Sequence, residues 1–461
     1  MNIFIAGICG TFMAGIAQLA RELGHRVRGC DANVYPPMSE VLADAGITVH
    51  SGYDPAHIDA DTDQVVIGNA LSRGNPLVEA VLDDGMVYRS GPAWLAEHVL
   101  ARRRVIAMAG THGKTSTASM IAWILESAGR SPGFLIGGKP GNFRETARLG
   151  GGVDFVIEAD EYDTAFFDKR SKFVHYSPAI AVLSNLEFDH ADIFDNVEQI
   201  RRQFHHLIRI VPRKGSVVVN ADDANLSAVL DLGLWSRRVD FSLASPHAEW
   251  HAVPTGPSTT SFDVMKQGEV SGTVRWDCIG THNLQNALAA VAASSEAGID
   301  PRAACEALAQ YRPSARRLQC LHRSSRAILF EDFAHHPTAI ARTLEALHAH
   351  YPGHRLVAIL EPGSNTMRMG HDPGTMGRAL SLADETILYR SAELSWDPLS
   401  LPGADRITVI DEPEAAVSLA LKRATGGAVV VAMSNGGFGG IPRKLANVLD
   451  DATGNPSDDE H

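Results

Sequence analysis

The chain has 461 residues, 45% hydrophobic and 21% charged. That is the balance of a soluble globular enzyme, with more chain than one ordinary core uses, so about three domains are expected. A formal net charge of −13 excludes non-specific binding to nucleic acid or to an acidic membrane surface, and leaves room for a local basic pocket. Five scattered cysteines with no C-x-x-C spacing exclude a disulfide frame or zinc site. With no basic-then-apolar leader and no run of transmembrane length, the chain reads as cytoplasmic.

The apolar run Met1-Asn-Ile-Phe-Ile-Ala6 passes directly into Gly7-Ile-Cys-Gly-Thr-Phe-Met-Ala-Gly15. A helix through Ile16, Leu19, Ala20 and Leu23 follows and stops at Gly24, which makes a Rossmann-like opening. The spacing G-x-x-G-x-x-x-x-G is not the dinucleotide fingerprint, so a nicotinamide cofactor is not expected. Gly7, Gly10 and Thr11 either hold another phosphate-bearing ligand or form a turn that packs helix on strand. The next strand, Arg26-Val-Arg-Gly-Cys30, ends at Asp31, near where an acidic residue would hold a ribose hydroxyl. Gln64-Val-Val-Ile67 continues the rhythm, and Arg102-Arg-Arg104 reads as a solvated junction closing a first domain of residues 1–103.

A second domain is expected over residues 104–313. It opens with the strand Val105-Ile-Ala-Met-Ala109, the turn Gly110-Thr-His-Gly-Lys-Thr-Ser-Thr117 and a helical pattern through Met120, Ile121, Ile124 and Leu125. Backbone N–H groups of such a turn cradle phosphates at the positive end of the helix. Lys114 reaches the outer phosphates, and the Thr115 hydroxyl is placed for a magnesium ion. Two residues between the glycines, where the common loop has four, make this a variant phosphate loop. Downstream, Glu158-Ala-Asp-Glu-Tyr-Asp163 follows the strand Asp154-Phe-Val-Ile157. Its carboxylates need water, cations or a metal, so it is either a solvated acidic loop or a magnesium-binding strand end. Ala181-Val-Leu-Ser-Asn-Leu-Glu-Phe-Asp-His190 repeats the pattern, with His190 as a metal ligand or proton acceptor. Ligands of open α/β sheets bind outside the carboxyl ends of strands, so these three segments should converge. A strand-rich patch over 236–280, then a helix after Gly280-Thr-His-Asn283, completes the block.

Beyond a junction at Tyr311-Arg-Pro-Ser314, the buried-strand runs 327–330, 355–360, 385–389 and 428–433 predict a third parallel sheet over residues 314–450. Three loops follow its strands: Glu331-Asp-Phe-Ala-His-His-Pro337 before a helix at Thr338, Glu361-Pro-Gly-Ser-Asn-Thr366, and Ser434-Asn-Gly-Gly-Phe-Gly-Gly440. They suit a polar, carboxylate-bearing substrate, or are capping segments and tight turns. Residues 451–461 form an acidic, frayed tail. The fold class is α/β in three domains: Rossmann-like, central P-loop ATPase-like parallel sheet, and a second Rossmann-like α/β domain.

From Gly7 to about Asn447 the chain resembles the ATP-dependent Mur ligase family, which adds amino acids or peptides to UDP-N-acetylmuramic acid. The resemblance rests on Gly7-Ile-Cys-Gly-Thr11, the loop at 110–117, the segment 185–190, Gly280-Thr-His-Asn-Leu-Gln-Asn286 and Asp332-Phe-Ala-His-His-Pro-Thr338. Within the family, Asp31-Ala-Asn-Val-Tyr-Pro-Pro-Met38, the segments 158–163 and 165–173, and residues 434–441 are similar to the peptidoglycan-recycling branch, which attaches an intact murein tripeptide. They differ from the L-alanine-adding branch, which is the alternative reading. The resemblance implies that Gly110, Thr111, His112, Gly113, Lys114, Thr115, Ser116 and Thr117 hold ATP. Thr115 would take one Mg2+ and Glu161 (Glu158 as second choice) with His190 another. His282, Asn283 and Asn286 would meet the adenine, Arg316 or Arg317 the γ-phosphate, and Asp332 the ribose. Gly7, Gly10, Thr11 and Asp31 would bind the UDP-sugar. Ser364, Asn365, Arg368, Ser434 and Asn435 would bind the peptide. Lys114, Glu161 and His190 carry the catalytic expectation, with the third domain closing over the second. The implied partners are UDP-N-acetylmuramic acid, ATP and the murein tripeptide, with no nucleic acid, membrane or obligate protein partner.

Two positions depart from the family pattern. Arg201-Arg-Gln-Phe-His-His206 lacks the lysine that several members modify to a carbamate, as does the L-alanine-adding branch. Gly363 stands where relatives in the family carry arginine, so a peptide carboxylate would need another basic group, such as Arg368.

Overall fold

The computed structural model describes residues 1–35, 38–191, 193–256, 258–370 and 373–453. Pro36, Pro37 and the tail from 454 lie outside the described residues. Three mostly parallel sheets organise the chain.

In the first sheet Thr48–Ser51, Arg26–Asp31, Asn2–Ala6, Gln64–Ile67 and Tyr88–Ser90 lie side by side, all parallel. Asn2–Ala6 is central and covered on both faces, which is why it reads as an unbroken apolar run. Strand order reverses beside it. Gly7 leaves its carboxyl end at that switch point, and the helix Thr11–Glu22 begins there.

The second sheet has a parallel centre in the order Trp250–Pro254, Arg237–Ser242, Ser216–Asn220, Ile180–Leu183, Arg104–Ala109, Asp154–Glu158, Gly133–Leu135. Antiparallel strands extend it at both ends. The helices Lys114–Ser127 and Thr281–Glu296 pack together on one face. Lys114–Ser127 is apolar on nearly every side because sheet and helix both cover it. The alanines at 287, 289, 290, 292 and 293 let the partner helix approach closely. A small hairpin, Asp163–Ala165 with Asp168–Ser171, stands beside the acidic segment.

The third sheet runs Gln319–Arg323, Ala327–Asp332, Ala428–Met433, Leu356–Leu360, Glu385–Tyr389, Ile407–Ile410, parallel except at its first pair.

Several boundaries differ from the sequence reading for reasons visible in hydrogen bonding. The strand expected over 154–157 continues to Glu158, whose carboxylate accepts the Gly137 amide at 2.6 Å. The strand expected to end at 330 continues to Asp332, whose oxygens accept the Leu318 and Ala334 amides. The helix expected after Asn283 begins at Thr281, because Gly280 turns the chain at φ 95° and donates its amide to Thr259 Oγ1 at 2.8 Å.

The first two sheets share one core. Ile16 and Ala17 of the first helix belong to the same apolar cluster as Leu135, Ala147 and Phe155 of the second sheet. A Cβ on Gly15 would lie 3.1 Å from Leu135, so glycine lets the helix seat on the sheet edge. The third sheet has its own clusters and meets the second through Ile279 and a few polar pairs. Leu135→Ala is therefore expected to lower stability by about 2–5 kcal/mol, measured as a fall in the urea midpoint that loosens the first two sheets together.

Candidate active site

The phosphate loop is held from outside. A Cβ at Gly110 would lie 2.2 Å from Ser184 Oγ, and one at Gly113 (φ 80°) would lie 2.6 Å from Asn286 Oδ1, so no other side chain fits either turn. Asn185 clamps His112 from both sides, accepting its amide at 2.7 Å and donating to its carbonyl at 3.1 Å. The Glu187 amide donates to Thr111 Oγ1 at 2.9 Å. No side chain caps the helix that starts at Lys114, which leaves its first amides turned toward the cleft. Ser116 and Thr117 are buried in that first turn.

Lys114 Nζ donates to the Gly110 carbonyl at 2.8 Å and to Glu161 Oε2 at 3.2 Å, with Asp160 Oδ1 at 3.6 Å. Glu161 Oε1 is 3.0 Å from His190 Nε2. Burial alone would raise the Glu161 pKa, but Lys114 and His190 hold it at about 2. Burial disfavours charge on His190 too, yet Glu161 and Asp189 keep its pKa above the ordinary imidazole value. His190 adopts a left-handed backbone (φ 57°), the kind of strain that functional loops retain.

Beside this triad, Thr115 Oγ1 donates to Glu158 Oε2 at 3.1 Å and accepts from Arg317 Nη2 at 3.1 Å. Burial and the neighbouring Asp160 push the Glu158 pKa up against the opposing pull of the Gly137 amide, Arg317 and Lys114. A hydroxyl and a carboxylate gathered in this way are the oxygen donors that fit a hard divalent cation.

A cleft of about 1940 Å³ runs past all three sheets. Gly7, Gly10, Thr11 and Asp31 line one end. Asp31 accepts the Cys9 amide at 2.9 Å and the Asn33 amide at 3.0 Å, which fixes the first glycine turn. His282, Asn283 and Asn286 line the same cleft from the first turns of their helix. His282 is lowered to about 4 by burial and nearby arginines, so it is neutral, and its Nδ1 is buried without a hydrogen-bond partner.

The two candidate arginines separate. Arg317 faces Thr115, while Arg316 is committed to Glu331 at 2.8 Å and to the Ser434 and Gly436 carbonyls. Asp332 lines the cleft, but its oxygens accept from Leu318, Ala334 and Thr343. Asn435 reaches the cleft wall, and Ser434 Oγ donates to Glu361. Ser364 caps the short helix carrying Asn365 and Arg368, and Arg368 turns to Glu393 at 2.5 Å instead of lining the cleft. A Cβ at Gly363 would lie 2.4 Å from Asn435 Oδ1, so asparagine fills the space beside that glycine.

Residues 2–103 match the Mur ligase family catalytic domain, 108–294 the Mur ligase middle domain, and 316–436 the Mur ligase glutamate ligase domain. The chain is 47% identical over 452 residues to the UDP-N-acetylmuramate–L-alanyl-γ-D-glutamyl-meso-2,6-diaminoheptandioate ligase of Escherichia coli K12, covering 97% of this chain and 98% of that one. The chain belongs to the Mur ligase family. The crystal structure of a murein peptide ligase from Psychrobacter arcticus 273-4 is similar with a TM-score of 0.77 and 41% identity, over 97% of this chain and 98% of that chain. The UDP-N-acetylmuramate–L-alanine ligase of Burkholderia cenocepacia HI2424 is 32% identical over 96% of this chain and 97% of its own.

Contacts between the second and third sheets of this Mur ligase escaped the sequence reading. Thr338 Oγ1 donates to Glu187 Oε2 at 2.5 Å, and Thr366 Oγ1 donates to Asp189 Oδ1 at 2.8 Å. His112 and His336 each lie 3.6 Å from Glu187, with ring centroids 4.7 Å apart. All six residues sit in motifs named above, but pairing across sheets has no local signal. Burial would raise the Glu187 pKa, and His112, Thr338 and His336 bring it to about 2. A depressed carboxylate stabilises the fold above its unfolded pKa and loses that contribution as pH falls through its folded value. Glu187→Gln is therefore expected to lower the urea midpoint most near pH 7. The difference from the parent protein should shrink between about pH 4.5 and pH 2, as read from urea titrations across that range.

Proposed function

We propose that this chain joins the tripeptide L-alanyl-γ-D-glutamyl-meso-diaminopimelate to UDP-N-acetylmuramic acid at the expense of ATP, returning cell-wall peptide to peptidoglycan synthesis. One observation carries the reading beside the family membership. Two phosphate-type glycine turns, at Gly7 and at Gly110, open on a single cleft with Lys114, Glu161 and His190 between the sheets. ATP and a UDP-sugar are both cytoplasmic metabolites, and no described helix is long and apolar enough to cross a membrane.

A carboxylate is a poor electrophile, so ATP must activate it. An oxygen of the muramyl carboxylate attacks the γ-phosphorus, and the bond to the β-phosphate oxygen breaks with its electrons leaving on ADP. The tripeptide amine then attacks the acyl carbon, the C–O bond to phosphate breaks, and the departing phosphate takes the amine proton. The loop amides and Lys114 hold the β- and γ-phosphates, and Arg317 meets charge that builds on the transferring group. Thr115 with Glu158, and Glu161 with His190, would hold Mg2+. Bound magnesium neutralises phosphate charge. His282, Asn283 and Asn286 form the base pocket, and the Gly7–Thr11 turn takes the UDP diphosphate. Water must be kept from the acyl phosphate, which is the use of a third sheet that can close.

UDP-N-acetylmuramate-dependent ADP release is expected to be at least about tenfold faster with the tripeptide than with free L-alanine, an energy difference of about 1.4 kcal/mol. Faster turnover with alanine would assign the chain to the other branch. Lys114→Met should lower kcat by on the order of 10²–10³ with the fold intact, checked by the same coupled assay and by circular dichroism.

A further inference from the structure

Lys172 is 6% exposed and lies in the wall of the cleft. Its ammonium stands 5.0 Å from the centroid of the Phe12 ring and 5.3 Å from that of Tyr162. No carboxylate lies within ion-pair distance of it among the described residues. Asp160 and Glu161 act on it only from farther off, and burial lowers its pKa. Ring faces stabilise a cation by about 0.5–2 kcal/mol, less than the several kcal/mol that removing an ammonium from water costs. A lysine held this way needs an anion.

Its position says which anion. Phe12 follows Thr11 of the first glycine turn, and Tyr162 follows Glu161 beside Lys114. The ammonium is thus bracketed by the UDP-sugar end and the γ-phosphate end of the cleft. Its backbone is fixed there. The Lys172 amide donates to the Tyr162 carbonyl at 2.9 Å, and Ser171 Oγ donates to the Glu161 carbonyl at 2.7 Å and to Gln203 Oε1 at 3.0 Å.

We propose that Lys172 is a catalytic residue that binds the muramyl carboxylate and remains paired with the acyl-phosphate oxygens formed from it. This rests on the ligase reading above. Bringing the anionic carboxylate oxygen onto the anionic γ-phosphoryl group concentrates negative charge in one place without changing its total, so a fixed cation there favours the transition state over free substrates. The ammonium gives up no proton in this role. The rival role is a staple that holds the first block to the second by packing between two rings.

Full-length Lys172→Met and Lys172→Arg proteins separate the two. Methionine keeps the packing and removes the charge, while arginine keeps the charge. Lys172→Met is expected to lower kcat roughly 100-fold and to weaken UDP-N-acetylmuramic acid binding about tenfold in calorimetry. Binding of UDP, which has no carboxylate, and the KM for ATP should stay within about twofold. The melting temperature should hold, and Lys172→Arg should recover at least about a tenth of the parental kcat. Scrambling of label from the β,γ-bridge of isotopically labelled ATP, run with UDP-N-acetylmuramic acid but no tripeptide, should fall with kcat in Lys172→Met. Retention of kcat within about threefold in Lys172→Met overturns the proposal. So does an equal loss of UDP and UDP-N-acetylmuramic acid binding, or a loss of activity that follows the melting temperature without rescue by arginine. A parent protein that releases no ADP with UDP-N-acetylmuramic acid and tripeptide overturns the ligase reading and this role together. A competent parent with an unaffected Lys172→Met overturns this role alone.

Discussion

The ammonium of Lys114 lies almost wholly out of water, and the surroundings of the cleft follow from how that charge is met. It donates to the Gly110 carbonyl of the phosphate turn and to Glu161 of the second sheet's acidic strand end, with the Asp160 carboxylate 3.6 Å away as a further counter-charge. At 3.2 Å and an effective dielectric near 20, the Lys114–Glu161 attraction is about 5 kcal/mol. The desolvation of two ions is of the same size, so the pair adds little net stability and mainly fixes geometry. Glu161 extends it to His190, so the phosphate turn, the acidic strand end and the loop at 184–190 cannot drift independently. Removing any one partner leaves a buried charge unmet, a far larger penalty than the intact pair ever repays.

Because the first two sheets share a core and the third has its own, one wall of the cleft is a single packed unit and the other belongs to a separately packed sheet. The linker carrying the third sheet is left-handed at Arg316 and Leu318, two non-glycine residues that resist that conformation. Asp332 holds it by accepting the Leu318 amide at 2.6 Å, and Arg316 by reaching the Ser434 and Gly436 carbonyls. Between these anchors sits Arg317, whose guanidinium arrives at Thr115. On the proposed reading, any swing of the third sheet would move this cation toward or away from the bound phosphates.

The sequence was legible where one element alone determines the outcome. Val105–Ala109 and Ala428–Met433 are buried on both faces and read as apolar runs, and the glycine turns read from spacing. It was less legible wherever a side chain had to choose between partners on different elements. Nothing local separates Arg316 from Arg317, yet a left-handed residue between them and the strand end sends one to Glu331 and the other to Thr115. Glu158 and Glu161 are three residues apart in an apparent loop, but the strand runs on through Glu158 and points it at Thr115, leaving Glu161 to Lys114 and His190. Arg368 looked like a free base next to a polar loop, and Glu393, some 25 residues on in a different segment, takes its charge.

A modifiable lysine is absent from the segment 201–206. The helix Val197–Arg209, which carries none, places Gln203 against Ser171, a neutral acceptor for a neutral hydroxyl. A carbamate there would add an anion to a region that already holds Glu158, Asp160 and Glu161. Gln203 instead supports the turn that presents the Lys172 ammonium. Opposite charges in one shell suit different demands. An added anion strengthens the hold on metal ions, whereas an added cation acts on the carboxylate and on the phosphate it acquires. Glu158, Asp160 and Glu161 already gather at that strand end, and the proposed role of Lys172 adds the cation that an incoming muramyl carboxylate would meet. On the proposed role, the polarity of residue 172, more than the missing lysine, constrains how this cleft would carry out its chemistry.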